Sequence, residues 1–148
     1  MKSSTPACPA IALAALLTLA AAHSARASVV EIAVTGITEA RGHVRVDLCT
    51  RATFLKEDCP FSGAAPARPG ETLVRIVGVP PGEYAAQAFQ DRDDSGKLKQ
   101  NLIGVPLEPV GFSNDAPIRL TGPRYKDAAF TVVHQVERIT LRLRRLFK

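Results

Sequence analysis

The sequence contains no tryptophan and only one methionine, two tyrosines and three histidines in 148 residues. A carbohydrate groove is built on exposed aromatic platforms, and here there is no indole to supply one. Cysteine is scarce as well. The three present form no C-x-x-C pair and no compact metal knuckle, which argues against a thiol redox centre and a zinc site. Long hydrophobic runs are missing. The apolar run Ile11–Ala22 holds 12 residues, whereas a membrane-crossing helix needs about 20. No segment sustains apolar spacing of 3.6 residues, so nothing reads as a helical domain. Internal repeats and low-complexity tracts are absent. Ser113, in Gly-Phe-Ser-Asn, lacks the G-x-S-x-G context of a nucleophile elbow. The net charge of +5 is too mild to call for a nucleic-acid partner.

What is present begins with an address. Lys2 precedes the apolar run, and Ala25-Arg26-Ala27 has the small-x-small form of a signal-peptidase site. The pattern predicts a signal peptide over 1–27 and a single mature domain over 28–148, in the periplasm or secreted. Cys8 lies ahead of the apolar run and leaves with it. Cys49 and Cys59 remain, and an even count in an oxidising compartment predicts a disulfide between them. Closing that loop is worth about 3 kcal/mol in the chain-entropy picture. Basic residues gather at the C-terminus (Arg138, Arg142, Arg144, Arg145, Lys148). Anionic lipid or polysaccharide could meet them, but a solvated strand face is the simpler reading.

The mature chain reads as strands. Ser28–Ile37 alternates, with Val30, Ile32 and Val34 on one face. His43–Leu48 alternates with Val44, Val46 and Leu48 inward, and the two runs look like a hairpin. Arg51–Gly70 is irregular, with one helical turn near Ala52–Glu57. Thr72–Val79, Glu83–Gln90, Ala116–Leu120, Ala128–Val136 and Ile139–Leu143 are further strand signals. Pro80-Pro81-Gly82 is a turn in which proline presets φ. About seven short strands separated by turns predict an all-β, antiparallel β-sandwich of immunoglobulin-like or prealbumin-like kind.

Between the strands lies a long connection, Asp91 to Asp127. It opens on the acidic turn Asp91-Arg92-Asp93-Asp94-Ser95-Gly96. Leu102, Ile103, Val105, Leu107, Val110, Phe112 and Ile118 offer it a buried side of its own. Loops this long are functional or disordered, and that apolar content predicts order. Gly96, Phe112 and Asn114 are the expected anchors, with the loop packed over an end or edge of the sandwich.

Several motifs stand in order along this stretch. They are Gly82-Glu83-Tyr84-Ala85, Phe89-Gln90-Asp91 with the acidic turn, Asn101-x-Ile103-Gly104-Val105-Pro106-x-Glu108, Gly111-Phe112-Ser113-Asn114, and Pro123-x-Tyr125-x-Asp127-Ala128-Ala129-Phe130. In this arrangement the chain resembles the bacterial exported family catalogued as domain of unknown function 2141. The resemblance implies a periplasmic or secreted β-sandwich of no established activity, and it implies no catalytic residue. Members usually carry a further Asp three residues after the turn glycine, where this chain has Lys99.

Asp91, Asp93 and Ser95 stand at i, i+2 and i+4 before Gly96, like the opening of a calcium loop, with the Lys97 carbonyl as the next ligand. Calcium takes six to eight oxygens, so Glu108 or Asn101 would have to fold back to help, and Lys99 brings a repelling charge. A weak Ca2+ site is therefore one reading, and a capped, solvent-exposed turn the other. No other cofactor is implied. His43 and His134 sit in alternating strands with no ligand motif. Two function classes follow: a non-enzymatic cell-envelope binding or structural module, with a polysaccharide or protein partner, and a periplasmic hydrolase or calcium-dependent binding protein using Asp91–Gly96. The first is favoured, because a hydrolase needs a titratable pair in a pocket. Such a pocket would have to bring Asp91, Glu108 and His134 together.

Overall fold

The computed structural model of the protein describes residues 26–119 and 121–146. Residues 1–25 of the expected leader lie outside the described residues. Two sheets face each other. Strands β1 (Ser28–Ile37), β4 (Gly70–Val79) and β8 (Val136–Arg142) form a three-stranded sheet in the order β4-β1-β8. Strands β2 (His43–Cys49), β3 (Phe61–Pro66), β5 (Gly82–Asp91) and β6 (Val110–Phe112) form the other in the order β3-β2-β5-β6, with β7 (Ala129–Val132) also on β5. Pairing is antiparallel throughout except for β1 and β8, which run parallel. Two elements are helical among the described residues: a single turn at Ser113–Asp115 and α1 (Tyr125–Ala128).

Period-two patterning builds the core. Val30, Ile32 and Val34 of β1, Val44, Val46 and Leu48 of β2, Val74 and Ile76 of β4, and Leu141 of β8 are buried between the sheets. Tyr84, Ala86 and Ala88 of β5 close it from the other side. Burial of each such aliphatic side chain stabilises the fold by about 1.5–3 kcal/mol relative to exposure.

The predicted β1–β2 hairpin is not formed. The two strands lie in opposite sheets, and the chain crosses between them through Gly36 (φ +80°) and Gly42 (φ +67°). Both strands have an apolar inner face, and packing those faces against each other buries more surface than pairing the strands edge to edge would. A second difference is β3, a strand inside the stretch read as irregular. Its prolines and alanines give little strand signal, and it survives as a short outer strand on β2. The expected strand at Ala116–Leu120 is absent from 116–119; Leu120 lies outside the described residues.

The two sheets approach each other along both sides of the sandwich. On one, Gly63 of β3 lies so near β4 that a Cβ there would stand 2.9 Å from Ile76 Cγ1. On the other, Val110 and Arg144 exchange both backbone hydrogen bonds, at 3.0 and 2.8 Å.

Candidate functional site

Strand β5 has two faces. Its inner residues serve the core, while Ala85, Gln87, Phe89 and Asp91 point to the outside of the five-stranded sheet. The long connection supplies the edge strand β6 beside β5 and also crosses this outer face. A second, smaller core forms there from Ala85, Val110, Phe112, Ala116 and Ala128, with Phe54, Phe89, Leu98, Ile118, Tyr125 and Leu146 packed around it. Phe54 meets Phe112 and Tyr125 edge to face at 5.9 and 5.6 Å. Leu102, Ile103 and Leu107 do not join this side, contrary to their apolar character; all three are exposed.

The Gly-Phe-Ser-Asn motif is explained by geometry. Strands β6 and β7 share one edge of β5, and the ladder has a gap between them. Ser113 fills it: its Oγ accepts from the Ala86 amide at 2.9 Å and donates to the Ala128 carbonyl at 2.5 Å. Gly111 is needed because a Cβ there would stand 2.4 Å from the Arg142 carbonyl oxygen. Asn114 takes φ +57° and donates from Nδ2 to the Ala129 carbonyl at 2.9 Å. Ser113 is thus a backbone substitute, fully buried.

The acidic turn is less exposed than its composition suggests. Asp91 is completely buried and Glu108 nearly so; Asp93 is exposed. Asp91 Oδ1 accepts from the Ser95 amide at 3.0 Å, and Oδ2 accepts from the Gly96 amide at 2.8 Å and from Arg45 Nε at 2.6 Å. Burial alone would push this carboxyl up, but Arg45 and the two amides outweigh it and hold it below the usual range. Glu108 accepts from the Arg92 amide through Oε1 at 3.0 Å and from the Lys99 amide through Oε2 at 3.2 Å. Two carboxylates therefore sew the turn to the body of the loop.

A carboxylate oxygen from each of Asp91, Asp93 and Glu108 lies within 4.8 Å of the others, so the cluster could hold a cation. The chain already places its own positive charge there. Lys99 Nζ lies 2.5 Å from Asp93 Oδ2. The Asp93 hydrogen bond, with Glu108 and Asp91 behind it, pushes the Lys99 ammonium further up, and Lys99 in turn lowers Asp93. Ser95 Oγ turns to the Lys97 carbonyl at 3.2 Å. Two of the expected ligands are thus bonded to each other. Gly96 takes the turn at φ +79°. His43 Nδ1 lies 2.6 Å from Asp94 Oδ1 at the rim. His134 follows β7 at the other end of β5, roughly 30 Å away by strand rise, so it joins no group with Asp91 and Glu108.

Cys49 and Cys59 form a disulfide. It closes the 50–58 turn, which Gln87 ties to the sheet: Nε2 donates to the Lys56 carbonyl at 2.9 Å and Oε1 accepts from the Leu55 amide at 3.0 Å. Between this turn, the 96–106 segment and the 118–123 segment lies a groove of about 1110 Å3, floored by Arg45, Asp47, Gln87 and Phe89. Partial burial raises the Asp47 carboxyl; Gln87 and Arg45 only partly offset it.

A family model described as "uncharacterized protein conserved in bacteria (DUF2141)" matches residues 32–140. The chain belongs to this family. The DUF2141 match begins inside β1 and ends inside β8, so it takes in the acidic turn, the Gly-Phe-Ser-Asn motif and the groove lining except Leu146. No curated protein and no solved structure matches the chain.

Sequence reasoning missed Arg45, Gln87 and the groove itself. Arg45 was visible as an outward residue of β2, but pairing it with Asp91 required the β2–β5 register, in which His43 faces Asp91.

Proposed function

We propose that the chain is an exported, non-enzymatic binding module of the bacterial cell envelope, with the groove on the outer face of the five-stranded sheet as its working surface. The carrying observation is that groove: about 1110 Å3, walled by an ordered loop and a disulfide-closed turn. A non-enzymatic role is supported by the state of the acids. The hydrogen bonds to Asp91 and Glu108 hold the loop together, which gives both carboxylates a structural task. Export predicts a mature chain beginning at Ser28, read by intact-mass measurement of protein from the envelope fraction. Binding predicts that a photo-crosslinking residue at Ala64 or Thr121, in the groove, yields adducts in living cells. The same residue at Val77, on the outside of the other sheet, should yield none. Adducts from Val77 alone would contradict the assignment.

The acidic cluster supports a second reading, a weak calcium site at Asp91, Asp93, Ser95, Glu108 and the Lys97 carbonyl. A cation there has to displace the Lys99 ammonium. Affinity should therefore lie in the roughly millimolar range of extracellular modules. Lys99→Asp should tighten it and Asp93→Ala abolish it, as followed by calorimetric titration. No heat from either the wild type or Lys99→Asp would leave the turn as purely structural.

A further inference from the structure

The segment between Lys99 and Leu107 is a small hydrogen-bonded finger. Gln100 and Pro106 bridge, and the Leu107 amide donates to the Lys99 carbonyl at 2.9 Å. Asn101 caps the tip: its Oδ1 accepts from the Ile103 and Val105 amides at 3.1 and 2.9 Å. Gly104 makes the turn at φ +80°. What this construction presents is apolar. Ile103 is 83% exposed, Leu102 wholly so, and Leu107 more than half. Isolated apolar residues on a surface need no explanation, but a hydrogen-bonded tip that holds two adjacent ones in water does.

The finger is also one wall of the groove, whose lining includes Ile103 and Val105 together with Phe89, Leu98, Ile118 and Leu146. The rim carries Lys56, Lys97 and Arg119, all exposed; none of the three is tied to the groove's own acids, Asp47 and Glu57, and Arg119 makes only a long, exposed pair with Asp127 at 4.0 Å. The polar floor groups are engaged within the protein, Arg45 by Asp91 and Asp47 by Gln87, and a groove with an apolar wall, a cationic mouth and an apolar finger beside it is complementary to one chemistry. That chemistry is a hydrocarbon chain ending in an anionic headgroup.

We propose that the groove takes the acyl chain of an anionic amphiphile, with its headgroup at Lys56, Lys97 and Arg119, and that Leu102 and Ile103 dip into the lipid surface from which it comes. This rests on the groove reading above and names its ligand class. The chain's lack of tryptophan provides the assay. Thr121→Trp places a sole reporter on the rim of the full chain, expressed and processed in a bacterial host. Palmitate should change its fluorescence at concentrations at least about tenfold below butyrate, which has the headgroup without the chain. Lysophosphatidylglycerol should bind about tenfold tighter than lysophosphatidylcholine, and Lys97→Gln with Arg119→Gln should erase most of that preference. Ala64→Phe, which fills the floor from an exposed strand position, should abolish the palmitate signal. Leu102→Asp, at a tip residue outside the groove lining, should stop co-flotation with phosphatidylglycerol vesicles while leaving palmitate binding intact. A reporter blind to palmitate, or a palmitate signal unchanged in Ala64→Phe, overturns the proposal. If an envelope oligosaccharide then moves the same reporter and Ala64→Phe blocks it, the groove reading stands and only the lipid assignment falls.

Discussion

Asp91 ties the acidic turn to strand β2 through Arg45. It is completely buried, yet both of its oxygens are occupied, by Arg45 from a neighbouring strand and by the amides of the turn it begins. Removing it strands a partly buried guanidinium and two loop amides. Asp91→Ala should therefore cost about 3 kcal/mol or more in urea denaturation. Lys99→Ala, which breaks an exposed pair, should leave the midpoint nearly unchanged. The depressed Asp91 pKa also sets a direction in pH. Its stabilising contribution is fully present above the ordinary carboxylate value of 3.8 and is lost as pH falls through the lower folded value. Wild-type stability should fall more steeply below about pH 4 than that of Asp91→Asn, compared by urea midpoints across the acid range. An identical acid slope in the two proteins would show that Asp91 is not held by Arg45.

At the level of elements, the long connection is held by substitutes for regular pairing. Ser113 Oγ completes the β5 edge where β6 and β7 leave a gap. Ser113→Ala orphans a buried amide and a buried carbonyl, and should cost about 1–3 kcal/mol without affecting any chemistry. Reduction of Cys49–Cys59 releases the turn that carries Leu55 and Lys56. It should cost about 3 kcal/mol, seen as a drop in thermal midpoint on adding reductant and absent in a Cys49→Ala, Cys59→Ala double variant. The alternating strands were legible from their residues: β1, β2, β4 and β5 fall close to where the apolar alternation put them. β3 was not legible, since Ser62, Ala64 and Pro66 carry no apolar alternation and only its pairing to β2 makes it a strand. The finger was misread for a related reason. Leu102, Ile103 and Leu107 have the composition of a buried side, and nothing local reveals that Asn101 and Gly104 turn them outward.

Across the described residues, the sandwich leaves one sheet face bare and uses the other. The bare face, on β4-β1-β8, is neutralised in place. Glu31 lies between Arg75 and Arg138 at 2.8 Å from each, in a row set by the strand register. The basic C-terminal residues are mostly paired as well, Arg144 with Asp115 and Arg145 with Glu39. The other face carries the loop, the second core and the groove. That division could not be read from the sequence, because it depends on β1 and β2 parting into different sheets. It explains why the acidic turn is built as it is: the turn supports the groove wall, with Arg45 and Lys99 supplying the charge a metal would otherwise bring. Amide hydrogen exchange tests this most directly. The amides of Arg92, Ser95, Gly96 and Lys99, which donate to Asp91 and Glu108, should be protected in EDTA and no better protected after calcium is added. Free exchange of these four amides in EDTA, with protection appearing only on adding calcium, would contradict it.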